Sequence, residues 1–241
     1  MASIQDDRGY NQGFKPSMAM DIRMERRCDY MISKMDLSRQ NVNILEIGCG
    51  TGEISCFLSQ KTDAEVLGTD ICLPFIKECK KTYSSPNLKF EVLDFTSAKS
   101  IKKVVGNKKF DYIVGNGILH HMFYKLDGAL VDINKLLATD GKMIFLEPNI
   151  LNPYCALIFQ VPFFRKLVKL EPDEMAFSKR LITKKLEAAG YNNINIEHKD
   201  FLLPGTPSFL IKPVIAIGSV VEKIPLLNKL SQSIYISASK S

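Results

Sequence analysis

The chain has no apolar run near the roughly 18–20 residues that a membrane-spanning helix needs. Stretches such as Pro213–Val221 reach about half that length. It has no Cys-x-x-Cys pair, and its cysteines at 28, 49, 56, 72, 79 and 155 form no Cys/His cluster with metal-ligand spacing, so no zinc module is expected. Residues 1–10 carry Asp6 and Asp7 and no apolar core, so a secretory signal is not expected, and reduced thiols in a cytoplasmic protein are. Repeats and low-complexity segments are lacking, as is tryptophan, whose absence excludes nothing. The bulk composition, 46% hydrophobic and 24% charged in 241 residues, is that of a soluble globular domain and argues against disorder, collagen and coiled coil. A net charge of +6 suits acidic lipid or nucleic acid only weakly when spread over this length.

Strand and helix periods alternate through the middle of the chain. Residues 1–16 read as a frayed segment, and Ser17–Met35 carries apolar residues at a helical period with Arg23, Arg26 and Arg27 among them. Strands are expected at Asn43–Ile47, Glu65–Asp70, Leu88–Leu93, Phe110–Asn116 and Lys142–Glu147. Helices are expected near Glu53–Ser59, Leu73–Tyr83 and Lys125–Leu137, with a turn at Asp140–Gly141. That rhythm predicts a parallel sheet covered on both faces. After Glu147 it breaks. Leu151–Leu170 and Pro204–Leu230 are apolar insertions, Ser178–Ala189 is a capped helix stopped by Gly190, and Asn193–Asp200 and Gln232–Ser239 read as late strands forming an antiparallel edge hairpin.

The most informative stretch runs from Ile44 to Glu53: a glycine-rich turn, Gly48-Cys49-Gly50-Thr51-Gly52, between the first strand and first helix. Such a turn lets backbone N–H groups and a helix N-terminus approach a ligand. A dinucleotide fingerprint would place a third small residue at Glu53, whose bulk disfavours an NAD-dependent oxidoreductase. Glu46 precedes the turn, and Asp70 and Asp94 end the next two strands. A carboxylate at Asp70 suits two ribose hydroxyls, and Asp94 followed by Phe95 suits an exocyclic amine and a stacked base. Either acid alone reads equally as a turn or cap residue. Three acids in register with the glycine turn read as one ligand crevice.

These residues resemble the class I S-adenosylmethionine-dependent methyltransferases over roughly residues 40–150. Glu46, Gly48, Cys49, Gly50 and Gly52 look like the family's first motif; Asp70 and Ile71 match its ribose acid and adenine neighbour; Asp94 and Phe95 match its adenine-amine acid; Asn116 matches the fourth motif. The resemblance implies a Rossmann-like α/β fold, a seven-stranded mostly parallel sheet with an antiparallel last strand and helices on both faces. It implies S-adenosylmethionine as cofactor, with Tyr10 or Arg23 on an N-terminal lid meeting its carboxylate; a solvated basic face is the plainer reading of those residues. The implied layout is one domain: a lid over residues 1–38, a cofactor core over 40–150, and acceptor-side insertions and edge strands over 151–241.

Methyl transfer from a sulfonium is an in-line displacement, so alignment and water exclusion matter most, and a base is needed only where the acceptor loses a proton. His120 and His121 follow the fourth strand and are the candidate acceptor contacts, His121 foremost. Glu147 ends the fifth strand and either orients an acceptor or binds backbone in its own loop. No metal is expected, since no further ligand is visible near the histidines. The Asn/Asp-Pro-Pro-Tyr/Phe signal for planar-nitrogen methylation is missing after the fourth strand, which reads Asn116-Gly117-Ile118-Leu119, and no RNA-binding stripe is present. The expected partner is a small hydrophobic or amphipathic acceptor rather than nucleic acid or protein, with the two apolar insertions as pocket wall, ordinary core, or a peripheral contact with a membrane surface. A non-catalytic cofactor-binding protein of the same fold is the remaining rival.

Overall fold

A computed structural model describes residues 17–168, 170 and 173–240. Among them, α1 (Met18–Ser33) begins at Ser17, whose side chain caps Met20 N–H, and leads into β1 (Asn43–Ile47). There follow α2 (Glu53–Lys61), β2 (Glu65–Asp70), α3 (Leu73–Thr82), β3 (Leu88–Val92), α4 (Ala98–Val104) and β4 (Phe110–Asn116). A 3₁₀ segment, Leu119–Lys125, runs into α5 (Leu126–Leu136) and then β5 (Leu137–Pro148). The late part contains α6 (Pro153–Gln160), α7 (Pro162–Leu167), α8 (Lys179–Ala188), β6 (Tyr191–Lys199), α9 (Ser208–Val221), a 3₁₀ turn at Leu227–Leu230, and β7 (Ser233–Lys240).

The seven strands lie in the order β3-β2-β1-β4-β5-β7-β6. All pairs from β3 to β5 are parallel, and β7 runs antiparallel to both β5 and β6. This is the Rossmann-like architecture expected, with the last strand reversed. The two late strands form the expected antiparallel pair at the sheet's edge, with β6 outermost and β7 between β5 and β6, where Ser233–Ala238 are buried.

One face is covered by α4, α5 and α8 through Ile101, Leu130, Ile133, Ile182 and Leu186. The other is covered by α1 and α2 through Met24, Cys28, Met31, Ile54 and Leu58. Two local expectations change. Helix α4 was unsignalled, since only Ile101 on it is buried. The Asp140–Gly141 turn lies inside β5, where Asp140 takes φ +60 and the strand pairing with β4 shifts register. No helix among the described residues is long and apolar enough to cross a membrane.

Candidate active site

The three parallel strands β1, β2 and β4 deliver the glycine turn, Asp70 and Asn116 to the same carboxyl edge of the sheet, where open α/β sheets bind ligands. Gly48 and Gly50 take φ +70 and +52, values that glycine adopts without strain. A Cβ on Gly48 would lie 2.6 Å from the Ile118 side chain, so this glycine lets the histidine loop approach β1. A Cβ on Gly50 would meet nothing within 4 Å. The turn therefore opens onto free space at its middle glycine, as a cradle for a ligand requires.

Asp70 holds the turn from below: its Oδ2 accepts from Gly50 N–H at 2.9 Å and its Oδ1 from Cys72 N–H at 2.8 Å. Each oxygen has a second lone pair, so this bracing is compatible with accepting ribose hydroxyls. Ile71 is half-buried beside it. Asp94 uses Oδ1 to cap Thr96, accepting its N–H at 2.9 Å and its hydroxyl at 2.7 Å. Both acids thus brace turns of their own chain. Phe95, expected beside the base, has its side chain buried in the main core with Ile101. Cys49 is likewise buried, and Cys79 Sγ approaches Gly50 O at 3.3 Å from α3. Glu46 lies beneath the turn, 1% exposed, where it accepts the Ser55 hydroxyl. Burial pushes its carboxyl up to about 8 despite that bond.

The N-terminal arginines form neither a solvated face nor a free crevice contact. Arg23 and Arg27 are buried and converge on Asp200 at the end of β6, each 2.8 Å from its Oδ2. Arg23 also donates to Gln232 at 3.2 Å, and Arg27 to Ser233 at 2.7 Å and to Asn116 Oδ1. Asn116 Nδ2 in turn reaches Met24 Sδ. The expected motif-four asparagine is therefore the point where α1 is fastened to β4. Burial alone would push the Asp200 carboxyl up, but the two guanidinium charges hold it below the usual carboxylate range. Tyr10 lies outside the described residues.

The histidine loop is organised by Glu147, whose side chain is fully buried. Its Oε1 accepts Ile118 N–H at 3.0 Å and Leu119 N–H at 2.8 Å; its Oε2 lies 3.3 Å from His120 N and 2.9 Å from His120 Nδ1. A carboxylate at the start of a 3₁₀ turn satisfies N–H groups that have no partner inside it. Glu147 therefore does not bind backbone in its own loop as one reading had it; from the end of β5 it binds the neighbouring loop after β4 and a histidine on that loop. The His120 ring edge lies over Gly117, where a Cβ would be 3.4 Å from His120 Cε1, and Phe159 of α6 stands edge-on to the ring at 6.0 Å. His121 stacks on His120 with ring centroids 4.1 Å apart, and its Nδ1 lies 3.0 Å from Glu174 Oε1.

Glu174 is a site residue that sequence reasoning missed. It reaches the loop because Met175 N–H donates to His120 O, while Phe177 and Pro148 pair their backbones at 2.9 Å. It carries no distinct sequence signal, being one of three acids in Glu171-Pro172-Asp173-Glu174, just after the first apolar insertion. Ligand atoms of His120, His121 and Glu174 lie within 4.8 Å of one another, a spacing that a metal ion could bridge. The expectation that no third ligand stands near the histidines is thereby corrected: the fold brings one from some fifty positions downstream. Of the two insertions, Asn149–Leu170 reaches the histidines through Phe159, and Pro204–Leu230 packs on α1 and Leu202 through Ile211, Val214 and Ile215.

A seven-stranded sheet with one reversed strand, a glycine turn open at its middle and paired strand-end acids defines the class I, Rossmann-like methyltransferase domain, whose cofactor is S-adenosylmethionine. The chain belongs to that family: residues 38–199 match the family described as methyltransferase domain. It is similar to a malonyl-[acyl-carrier protein] O-methyltransferase of Acetivibrio thermocellus, 26% identical over 123 residues, covering 50% of this chain and 41% of that protein. The chain spans less than half the length of that relative and 6% of a probable polyketide synthase from Dictyostelium discoideum, to which it is 25% identical. Among solved structures, a SAM-dependent methyltransferase from Archaeoglobus fulgidus superimposes with a TM-score of 0.62 at 19% identity, covering 91% of this chain and 94% of that one. The CurJ carbon methyltransferase gives 0.63 at 19% identity, covering 94% and 56%. The glycine turn fits the cofactor, since the space over Gly50 is clear and the Asp70 carboxylate stands at Gly50 N–H.

Proposed function

We propose that the protein transfers a methyl group from S-adenosylmethionine to a small amphipathic acceptor that loses a proton, a hydroxyl or an acidic carbon, with His120 as the base. The observation that carries this reading is the 2.9 Å contact between Glu147 Oε2 and His120 Nδ1. A carboxylate on Nδ1 places the proton of the neutral ring there and leaves Nε2 as the acceptor. Glu147 is a positioning residue: it fixes both the ring and the backbone of the loop that carries it. His121, 30% exposed and held by Glu174, orients the acceptor.

The bound cofactor supplies an electrophilic methyl group. The residues proposed to hold it are Gly48, Gly50, Gly52, Asp70, Ile71 and Asp94, with Glu46 and Cys49 supporting the turn from behind and Asn116 anchoring α1 above it. Residues 1–38 act as the lid, 40–150 as the cofactor core, and 151–241 as the acceptor side. The relatives named for O-methylation of an acyl-carrier-protein-bound malonyl group and for carbon methylation support an oxygen or carbon acceptor over nucleic acid. Cys28, Cys49, Cys56, Cys79 and Cys155 take part in no disulfide, which supports a reducing, cytoplasmic setting, and the apolar late segments support an acceptor met at a lipid surface.

The test is a methyl-transfer assay over amphipathic hydroxyl and carbon-acid acceptors, run beside calorimetry with S-adenosylhomocysteine. His120→Gln should lower turnover by about 10²–10⁴-fold while cofactor affinity stays unchanged. A fall in affinity matching the fall in turnover would show that the loop serves the cofactor instead. Absence of transfer by the wild type to every acceptor, with tight cofactor binding, would favour the non-catalytic rival.

A further inference from the structure

Fifteen of the nineteen large hydrophobic side chains exposed among the described residues fall in two spans, Leu151–Val168 and Leu203–Leu230. No residue of α7 or of Leu227–Leu230 is buried, and α9 buries only Ile211 and Gly218. Helix α9 is apolar nearly all round. Its inner face, Ile211, Val214 and Ile215, packs on Ala19 and Leu202, while Phe209, Ile217 and Val220 on the outside are 77%, 64% and 61% exposed. A helix that is hydrophobic on every side needs a second apolar partner.

The two spans are joined. Asn152, the cap of α6, donates to Leu230 O at 2.6 Å, and Asn149 donates to Lys229 O at 2.8 Å, so the end of the second span abuts the start of the first. The charges on this surface are of one sign. Within the two spans the exposed charged side chains are Lys166, Lys212, Lys223 and Lys229. The single acid there, Glu222, is half-buried and accepts from Asp200 N–H at 2.9 Å and Lys199 Nζ at 3.3 Å.

We propose that the outer face of α7, α9 and Leu227–Leu230 seats on an anionic lipid surface, with the apolar side chains at the acyl boundary and the lysines among the headgroups. Apolar spans whose exposed charges are lysines match the two layers of such an interface, hydrocarbon below and negative charge above. A second copy of this chain would bring the same lysines face to face. The proposal deepens the amphipathic-acceptor reading and rests on it only for purpose, because the binding is measured without turnover: α6, continuous with this surface, also carries Phe159 to the histidines, so an acceptor embedded in the bilayer would meet the active site from that side.

The experiment is co-sedimentation of the full chain with phosphatidylcholine vesicles and with mixed phosphatidylcholine–phosphatidylglycerol vesicles, at low and high salt. The expected result is binding at least about tenfold tighter to the anionic vesicles, weakened by salt. The double variant Ile217→Glu with Val220→Glu should bind at least about tenfold more weakly, with unchanged thermal unfolding because both positions are exposed. The pair Lys212→Glu and Lys223→Glu should abolish the anionic preference. Equal binding to both vesicles, retained binding by the Ile217/Val220 variant, or no binding by the wild type would overturn the proposal. So would a wild-type dimer in gel filtration that the same variant breaks, which would make a second copy the occupant. Methyl transfer to a water-soluble acceptor without vesicle binding would remove this inference and leave the catalytic one intact.

Discussion

At the residue scale, the glycine turn and its carboxylates separate ligand binding from folding. Gly50→Ala adds a methyl group into space that the protein leaves clear, so the fold should lose only about 1 kcal/mol for a non-glycine residue at φ +52. Cofactor affinity should fall much further, and calorimetry with S-adenosylhomocysteine checks the contrast with urea unfolding. Asp70→Ala should weaken the cofactor by about ten- to a hundredfold, the effect of losing hydrogen bonds to a charged acceptor. It should also loosen the turn, because Gly50 N–H loses its partner. Normal binding by the Gly50 variant would sink the cradle, and normal binding by the Asp70 variant would sink the ribose assignment.

Glu46 offers a pH test at the same scale. Burial raises its folded pKa to about 8, above the ordinary carboxylate value, so the folded state binds a proton that the unfolded state has released. Stability from this group is full below the unfolded pKa and declines as pH rises through about 8. Glu46→Gln removes the titration while keeping the shape. Urea unfolding near pH 6 and pH 9 should show the wild type losing more stability between them than the variant does. Equal losses would place the charge change elsewhere.

At the element scale, α1 is fastened by buried ions rather than by packing alone. Two guanidinium groups meet one carboxylate, so Asp200→Asn leaves both charges buried without compensation and should destabilise the protein by about 3–5 kcal/mol. Its pH signature is opposite to that of Glu46. The Asp200 pKa is depressed, so its contribution is present above the ordinary carboxylate range and is lost as pH falls through the folded value. Chemical denaturation of wild type and variant across the acid range reads both the size and the sign. A loss confined to α1, seen as hydrogen exchange there and nowhere else, would show that the clamp holds the lid but not the domain.

At the scale of the whole molecule, the middle of the chain was legible because each parallel strand is a short apolar run closed by a turn signal, and each covering helix carries one apolar stripe. β1 through β4 and the glycine turn therefore follow from local pattern. So do the acids, since a residue at the carboxyl end of a parallel strand faces the crevice wherever the sheet order puts that strand. Local pattern says nothing of partners separated along the chain. Arg23 and Arg27 looked like a solvated basic face because their acid lies at Asp200; Glu174 gave no sign of a site because the histidines it meets lie at 120 and 121; Phe95 looked like a base-stacking neighbour because nothing nearby shows that its ring is buried in the core. The sequence by itself determined the fold class, the turn and the order of the acids, since these depend on periodicity and on glycine's access to positive φ. Only the tertiary structure decided which charges pair, which histidine nitrogen faces a carboxylate and which apolar faces stay uncovered, because long-range side-chain contacts arise from packing elements that no short stretch of sequence contains.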